Sequence, residues 1–399
     1  TWRPCGDYRR LNLQTITDTY TLPNIRDFTS ELAGKKIFST IDLKKAYWQI
    51  RLDKDSIDKS AIVTPFGTYV FLRMPFGVKN AAPTMQRFID QVLAGLPFVF
   101  CYLDDILIFS DNEEEHLEHI RMVLERLAEN GLVINPEKCV WLRKSVQYLG
   151  HVIDSNGIIP LQKHVEAINN FPIPKNVKDL QKFLGLANFY RAFIPHFSEL
   201  AKRLTRLTSP KVDWEFTDGD EQAMQDVCRA LSSATAIAHP LQGASLRLTT
   251  DASDTAAGAV LEQLSKGIWQ PLGFFSKCFN KAERNYATFD RELCAIYLAI
   301  RHFMHFLEGR DFTIRTDHRP ICAALEKISD SISPRQRRHL SFIAEYTSKI
   351  VYVPGDSNLV ADTLSRICLP SNDRPLNQNS IPPLDSHLLT QQDFMKKEE

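Results

Sequence analysis

Two aspartates, Asp104 and Asp105, stand side by side between two short apolar runs. The runs, Phe98–Cys101 and Ile106–Phe109, predict two strands joined by a tight turn that carries both acids. Adjacent acids at a hairpin tip can simply be turn formers. Like charges in an apolar hairpin repel each other, however, and a cation makes them tolerable. The pattern therefore indicates a cation-binding tip.

A third acid follows a predicted strand in the same way. Asp42 comes directly after Lys36–Ile41. Three carboxylates at strand ends can hold two divalent ions, which activate a 3′-hydroxyl, polarise an α-phosphate and neutralise a leaving pyrophosphate. Spacing alone leaves open whether Asp42 meets Asp104.

Four acids in the second half of the chain adjoin or lie within predicted elements: Asp251, Glu292, Asp317 and Asp362. Each has an ordinary structural interpretation. Glu292 suits a helix N-terminus, Asp317 could cap a helix, and Asp362 could lie on a solvated helix face. Singly, each acid fits that interpretation as well as a catalytic one.

The elements that must position these acids follow from periodicity and turn residues. In the first 160 residues we predict further helices at Ala81–Leu93 and Glu114–Asn130, and a strand at Gln147–Ile153 that leads to the Asn156-Gly157 turn. From Pro160 to about Ala238 the pattern is helical. A new unit near Ser245 is predicted to contain, in order, strands Leu246–Thr250, Ala257–Glu262 and Leu272–Ser276, helix Thr288–Phe306, strand Phe312–Thr316, a further helix, strand Lys349–Val353 and helix Asn358–Arg366.

Composition narrows the class of protein. The chain has 399 residues, 44% of them hydrophobic and 24% charged, which is enough for two or more folded units and excludes general disorder. Zero net charge argues mildly against a nucleic-acid partner. The segment from Pro160 to Val212 contains nine basic residues and three acids, however, so the neutral chain includes a basic segment. No apolar run is long enough for a membrane span, and the scattered cysteines indicate reduced thiols.

One helical face in the basic segment is unusual. Gln181, Gly185 and Phe189 fall at i, i+4 and i+8. A glycine inside a helix costs about 1 kcal/mol relative to alanine, so its presence needs a reason. Either another helix packs tightly there, or the face lies against a bound duplex.

Five motifs in the first 160 residues resemble those of reverse transcriptases, most closely gypsy-type (Metaviridae) LTR retrotransposons. They are Phe38-Ser39-Thr40-Ile41-Asp42-Leu43, Arg73-Met74-Pro75-Phe76-Gly77-Val78-Lys79-Asn80-Ala81, Tyr102-Leu103-Asp104-Asp105, Asn135-Pro136-Glu137-Lys138-Cys139 and Tyr148-Leu149-Gly150-His151. Three segments of the second half are also gypsy-like: Thr250-Asp251-Ala252-Ser253, Thr316-Asp317-His318 and Ala361-Asp362-Thr363-Leu364-Ser365-Arg366. The resemblance runs to about residue 368.

The resemblance implies an α+β multidomain chain: a right-hand polymerase with fingers, palm and thumb, then a ribonuclease H-like α/β domain with a mixed five-stranded sheet. Fingers and palm would occupy 1–159, a helical thumb or linker 160–243, ribonuclease H 244–368, and a linker or disordered tail 369–399. The family's fingers begin upstream of Thr1, and its phosphate-binding lysine is expected there. The family's connection domain is not expected between thumb and nuclease.

The resemblance also implies roles for particular residues. Asp42, Asp104 and Asp105 would be the polymerase metal ligands, and Asp251, Glu292, Asp317 and Asp362 those of the nuclease. The implied nucleotide contacts are Arg3 on the triphosphate, Tyr47 against a ribose 2′-hydroxyl, Phe76 and Gln86 in the nucleotide and template pocket, and Lys138 as a proton donor to pyrophosphate. Tyr47 could equally be a core tyrosine, and Lys138 a plain surface lysine. The face of Gln181, Gly185 and Phe189 would track the duplex minor groove.

The expected activity is RNA-directed DNA polymerisation with degradation of the RNA strand of the hybrid. Each site would use two Mg²⁺ ions, with Mn²⁺ as the alternative. The expected partners are an RNA template, a DNA or tRNA primer, RNA–DNA hybrid and deoxynucleoside triphosphates, with no membrane and with a homodimer left open. The expected location is cytoplasmic, within virus-like particles, with nuclear access left open.

Three alternatives stay open in the sequence. A decayed or domesticated element would bind nucleic acid without chemistry, and a nuclease could keep a structural polymerase remnant. Product release could also differ from that of retroviral nucleases, because Val353-Pro354-Gly355-Asp356 stands where those enzymes place a histidine.

Overall fold

The computed structural model describes residues 6–23, 29, 31–326 and 332–354. The chain divides into two compact units. The first contains residues 35–144 with the N-terminal segment, and the second contains residues 145–367 with the short segment 26–34. The predicted helix at 358–366, the tail, Arg3 and Asp362 lie outside the described residues.

The first unit combines a four-stranded sheet, a small hairpin and four helices. Its elements are α1 (Arg9–Gln14), β1 (Ile37–Asp42), α2 (Lys54–Ile57), β2 (Ile62–Thr64), β3 (Gly67–Tyr69), α3 (Ala81–Val92), β4 (Val99–Tyr102), β5 (Asp105–Ser110), α4 (Glu113–Glu129) and β6 (Val140–Arg143). The sheet order is β4-β5-β1-β6, and β2 pairs with β3. The predicted strands and helices around the acidic hairpin are confirmed to within one or two residues.

Helices α3 and α4 contribute to the same apolar core as this sheet. Met85 and Ile89 of α3, Val123 of α4 and Ile106 of β5 are completely buried in it. Helix α4 begins where the Asn112 side chain accepts a hydrogen bond from the Glu115 N–H, and its first turn is acidic, which suits the positive end of a helix dipole.

The second unit begins with a small antiparallel sheet and a run of helices. Its first elements are β7 (Ser145–Tyr148), β8 (His151–Asp154), β9 (Ile158–Pro160), α5 (Gln162–Asn169), α6 (Val177–Phe189), α7 (Phe197–Leu200), α8 (Lys202–Leu207) and α9 (Asp218–Ser232). The single strand predicted at Gln147–Ile153 is wrong. Leu149 and Gly150 both adopt positive φ, +44° and +80°, so the chain turns back between β7 and β8.

A five-stranded sheet forms the rest of the second unit. Its elements are β10 (Leu246–Ala252), β11 (Ala256–Ser265), β12 (Ile268–Cys278), α10 (Lys281–Arg284), α11 (Thr288–His302), α12 (Met304–Leu307), β13 (Phe312–Thr316), α13 (Arg319–Glu326), α14 (Pro334–Tyr346) and β14 (Ile350–Tyr352). The order is β12-β11-β10-β13-β14, with β13 parallel to β10 and to β14 and the other pairs antiparallel. The predicted helix Thr288–Phe306 is interrupted at Phe303, which separates α11 from α12.

Within the described ranges, no helix combines the length and apolar character needed to cross a membrane.

Candidate active sites

Strand register brings the first acidic set together. Strands β1 and β5 are antiparallel, and Asp42 is the direct partner of Asp105. The Leu43 N–H also donates to the Asp104 carbonyl oxygen at 3.2 Å. The end of β1 therefore lies beside the β4–β5 turn, which places the backbone of Asp42 next to Asp104 and Asp105. The carboxylate oxygens of these three residues do not all lie within 4.8 Å of one another.

The turn that carries the aspartates is held in a left-handed conformation. Leu103, between Tyr102 and Asp104, has a φ of +59°, which L-residues rarely adopt. Its N–H donates to Gln86 Oε1 at 2.8 Å, and Gln86 Nε2 donates to the Cys101 carbonyl at 3.0 Å. Helix α3 thereby holds the end of β4 and the first residue of the turn.

The Gln86 side chain is completely buried, and it also donates to Asp90, which accepts a 2.6 Å hydrogen bond from Tyr20. In this structure Gln86 supports the Asp104–Asp105 turn, and its contact with a nucleotide stays a prediction.

Lys138 lies at this site. Its Nζ is 3.1 Å from Asp42 Oδ2, although the lysine side chain is 60% exposed. The Asn135 N–H donates to the Asp42 carbonyl, which fixes the loop that carries the lysine. Lys138 is therefore a surface lysine, which was the alternative to a catalytic role, and it forms an ion pair with Asp42.

Burial, followed by the neighbouring charges of Asp104 and Asp42, raises the pKa of Asp105 to about 6, and Lys138 opposes this rise.

The Tyr47 ring meets Phe76 edge-on at 5.4 Å and packs partly against the core. Burial and the charge of Asp104 raise the pKa of Tyr47. Tyr47 therefore combines core packing with a position close to the acids.

The second acidic set converges more tightly. Asp251 lies near the end of β10, and Asp317 directly follows the parallel strand β13, so both acids lie at one edge of the sheet. Glu292 reaches the same edge from the second turn of α11, which packs on β10 and β11. One ligand oxygen from each of the three lies within 4.8 Å of the others, and within the described residues no other trio of potential metal ligands meets this limit.

Glu292 is the buried member of this set. It is 4% exposed, and its Oε2 has no hydrogen-bond partner. Burial and the charges of Asp251 and Asp317 raise its pKa to about 8, and burial also raises the pKa of Asp251. An unpartnered buried carboxylate oxygen is costly, and oxygen ligands suit hard divalent cations. These three residues therefore fit a metal ion.

The helical face predicted to follow a duplex is exposed. Gln181, Gly185 and Phe189 of α6 are all accessible, and a Cβ added at Gly185 would meet nothing within 4 Å. Among the residues that the structure describes, no other helix packs tightly against Gly185.

Comparison with known proteins identifies both halves of the chain. Residues 1–153 match the family model for reverse transcriptase (RNA-dependent DNA polymerase), and residues 216–314 match that for the RNase H-like domain found in reverse transcriptase. The chain contains a reverse transcriptase domain and an RNase H-like domain of the kind found in reverse transcriptases. Both domain families are metal-dependent, and Asp251, Glu292 and Asp317 form a candidate metal-binding cluster.

The curated relatives are Pol polyproteins of LTR retrotransposons. The retrovirus-related Pol polyprotein from transposon opus of Drosophila melanogaster is 37% identical over 380 residues, covering 92% of this chain and 38% of that protein. The transposon Tf2-3 polyprotein of Schizosaccharomyces pombe is 36% identical, covering 92% of this chain and 28% of that protein. The reverse transcriptase chain spans about a third of the length of these relatives.

Solved structures confirm the predicted fold class. The foamy viral protease-reverse transcriptase in complex with double-stranded DNA has a TM-score of 0.78 at 24% identity, covering 88% of this chain and 62% of that one. The same viral protein in complex with RNA/DNA hybrid has a TM-score of 0.71 at 22% identity, covering 95% and 50%. The right-hand polymerase and the RNase H-like domain with its mixed five-stranded sheet are thus the fold of this reverse transcriptase.

Three residues near the nuclease acids were missed by the sequence analysis. His196 and Glu199 lie close enough to Asp251 to act on its charge and carried no motif, whereas Ser253 ends the Thr250-Asp251-Ala252-Ser253 segment but was given no role of its own. Glu199 and Ser253 are 54 positions apart, so no local pattern could have linked them.

Proposed function

We propose that this chain is an RNA-directed DNA polymerase with ribonuclease H activity, which copies retroelement RNA and degrades the RNA strand of the hybrid. The observation that supports it best is the presence of two acidic sets at strand ends, one in each unit. The match of each unit to a metal-dependent family supports the same assignment.

In the first unit, Asp42, Asp104 and Asp105 would hold divalent metal, which supplies Lewis-acid activation of the 3′-hydroxyl and the α-phosphate. The chain's own contribution is positioning. The register of β1 and β5 sets the spacing of the acids, and Gln86 fixes the turn. Tyr47, close to Asp104 and braced by Phe76, would exclude a ribose 2′-hydroxyl, and Arg3 would hold the triphosphate.

In the second unit, Asp251, Glu292, Asp317 and Asp362 would hold the metal that activates water toward an RNA phosphate. The first three provide a crowded set of oxygens in which Glu292 is buried and lacks a partner. We propose Mg²⁺ as the metal at both sites, with Mn²⁺ as the alternative, because the donor set is all oxygen. The location of the protein in the host cell and the formation of a homodimer stay predictions.

The proposed substrates are an RNA template, a DNA or tRNA primer, RNA–DNA hybrid and deoxynucleoside triphosphates. The solved foamy viral structures are complexes with double-stranded DNA and with RNA/DNA hybrid. In this chain the exposed face of α6, with a glycine that leaves open space, offers a surface for a duplex backbone.

Extension of a DNA primer on an RNA template with Mg²⁺ tests the polymerase assignment. Asp104→Asn should reduce incorporation by about 10³-fold or more, because a metal ligand is lost, and should leave hybrid cleavage unchanged. Asp251→Asn should do the reverse, and Asp213→Asn, at an exposed acid outside both sets, should alter neither. Equal incorporation by wild type and Asp104→Asn would refute the polymerase assignment.

Gly185→Val tests the duplex-tracking face. We expect processivity to fall more than single-nucleotide addition, because the new side chain occupies the open surface. Gly185→Ala is the matched control, since a single methyl group meets no neighbour and favours the helix. Equal losses in both assays would count against this face as the duplex contact.

A further inference from the structure

The segment that precedes the five-stranded sheet covers part of one of its faces. Ser198 donates from its N–H to Ser276 Oγ at 2.7 Å and from its hydroxyl to the Ser276 carbonyl at 2.9 Å. Arg191 donates to the same carbonyl at 2.6 Å. Ser276 is 3% exposed, so this contact is a packed interface within the second unit.

This interface leads directly to the nuclease acids. Ser276 is the register partner of Gly258, and Gly258 is the register partner of Asp251. Directly paired residues on neighbouring strands project from the same face of a sheet. Ser276, Gly258 and Asp251 therefore form one row, with the preceding segment at one end and the acidic site at the other.

His196 occupies the middle of this row. A Cβ built on Gly258 would lie 3.0 Å from His196 Nδ1, so the ring approaches the strand closely because Gly258 has no side chain. His196 also has a φ of +50°, a strained conformation that persists where surrounding contacts impose it.

Glu199 holds the turn that follows Asp251. Its Oε1 accepts a short hydrogen bond from the Ser253 hydroxyl. Ser253 Oγ in turn accepts from the Ala256 N–H at 3.0 Å, which closes the β10–β11 turn. On its other side the turn is tied to α11, because Asp254 pairs at 2.8 Å with Arg291, the neighbour of Glu292.

We propose that His196 and Glu199 are positioning residues of the nuclease site: they fix the β10–β11 turn and strand β11 so that Asp251 faces Glu292 and Asp317. This inference deepens the proposed nuclease function and rests on it. It makes the site depend on a segment about 50 residues upstream of the sheet, so hybrid cleavage requires more than the RNase H-like domain.

Glu199→Ala and Glu199→Gln, in the full 399-residue chain, test the proposal. Loss of a side chain that orients a metal ligand typically costs 10- to 100-fold in metal affinity or activity. We therefore expect Glu199→Ala to weaken Mg²⁺ binding to the metal-free chain by about tenfold in calorimetry and to slow hybrid cleavage similarly. Glu199→Gln should restore most of both, because its amide oxygen still accepts the Ser253 hydroxyl. Primer extension should stay at the wild-type level.

The control is Glu166→Ala, which removes an exposed carboxylate from α5 in the same unit and should change nothing. Gly258→Ala provides a second test, since its methyl group would displace the His196 ring and should also reduce cleavage. Thermal unfolding of each variant identifies loss of folding.

If Glu199→Ala binds Mg²⁺ with wild-type affinity, the inference is overturned. It is also overturned if Glu199→Gln binds Mg²⁺ as weakly as Glu199→Ala, because the effect would then come from the lost charge alone. A wild-type chain that binds Mg²⁺ but does not cleave hybrid would instead refute the proposed nuclease function, while the affinity series would still decide the role of Glu199.

Discussion

The polymerase and nuclease acids are assembled in different ways. In the first unit, antiparallel register places Asp42 opposite Asp105, and Lys138 contributes a positive charge 3.1 Å from Asp42. In the second unit, two parallel strands and a helix bring Asp251, Glu292 and Asp317 together, and a Glu292 oxygen is left without a partner. The first site contains a cation of its own, whereas the second has no such ion pair among the described residues.

This difference has an energetic consequence. Burial raises both carboxyl pKa values, that of Asp105 to about 6 and that of Glu292 to about 8. At each site two neighbouring carboxylates add to the rise, and one cation opposes it: Lys138 at the first site and Arg291 at the second. Because the pKa of Glu292 is raised further, its charged form is the more disfavoured one without a divalent cation, and folding and metal binding should be coupled more strongly at the nuclease site than at the polymerase site.

Among substitutions outside the acidic sets, Gln86→Leu should give the largest effect, and it would separate the two sites. The variant leaves the Leu103 N–H and the Cys101 carbonyl buried without partners, at a cost of about 1–3 kcal/mol each. We expect primer extension to fall by about 10- to 100-fold, as the turn relaxes from its left-handed conformation, while hybrid cleavage by the same preparation is unchanged.

The matched control is Gln49→Leu, since Gln49 is a half-buried glutamine of the same unit that also bonds to backbone groups. Equal loss of extension in both variants would show that Gln86 has no special role at the turn.

Glu292→Gln should stabilise the metal-free chain. A carboxyl group with a pKa of 4.5 when unfolded and about 8 when folded gives stability that is present below pH 4.5 and is lost as pH rises toward 8. At pH 8 the variant should be more stable than wild type by on the order of 1–3 kcal/mol, and near pH 4 the two should be equal. Denaturant unfolding at both pH values in chelator measures this.

Mg²⁺ should then stabilise the wild type more than Glu292→Gln. A wild-type chain at least as stable as the variant at pH 8 in chelator would mean that the acid repulsion is relieved by the protein alone, and the contrast between the two sites would disappear.

Lys138→Met should have the smallest effect. Removing the protein's cation frees Asp42, so the Mg²⁺ concentration for half-maximal primer extension should fall a few-fold, with little change in maximal rate, because exposed ion pairs contribute about 0–1 kcal/mol. Lys138→Arg should behave like wild type. A fall in maximal rate by orders of magnitude would instead support Lys138 as the proton donor to pyrophosphate.

Local patterns were sufficient for much of the fold. Apolar runs and turn residues predicted β1, β4, β5 and α3 closely, because each depends on neighbours in the chain. They failed at Leu149-Gly150, where a two-residue turn was read through as strand, and at Phe303, where a continuous apolar pattern hid a break between α11 and α12.

By itself, the sequence determined which residues are acidic, which elements carry them and which families they resemble. Tertiary structure decided which side chains lie next to the acids. Strand register set Asp42 beside Asp105, helix packing buried Glu292 and placed Gln86 beneath the turn, and a distant helix brought Glu199 to Ser253. These contacts join residues far apart in the chain, and their energies come from burial and pairing, which residue order alone does not specify.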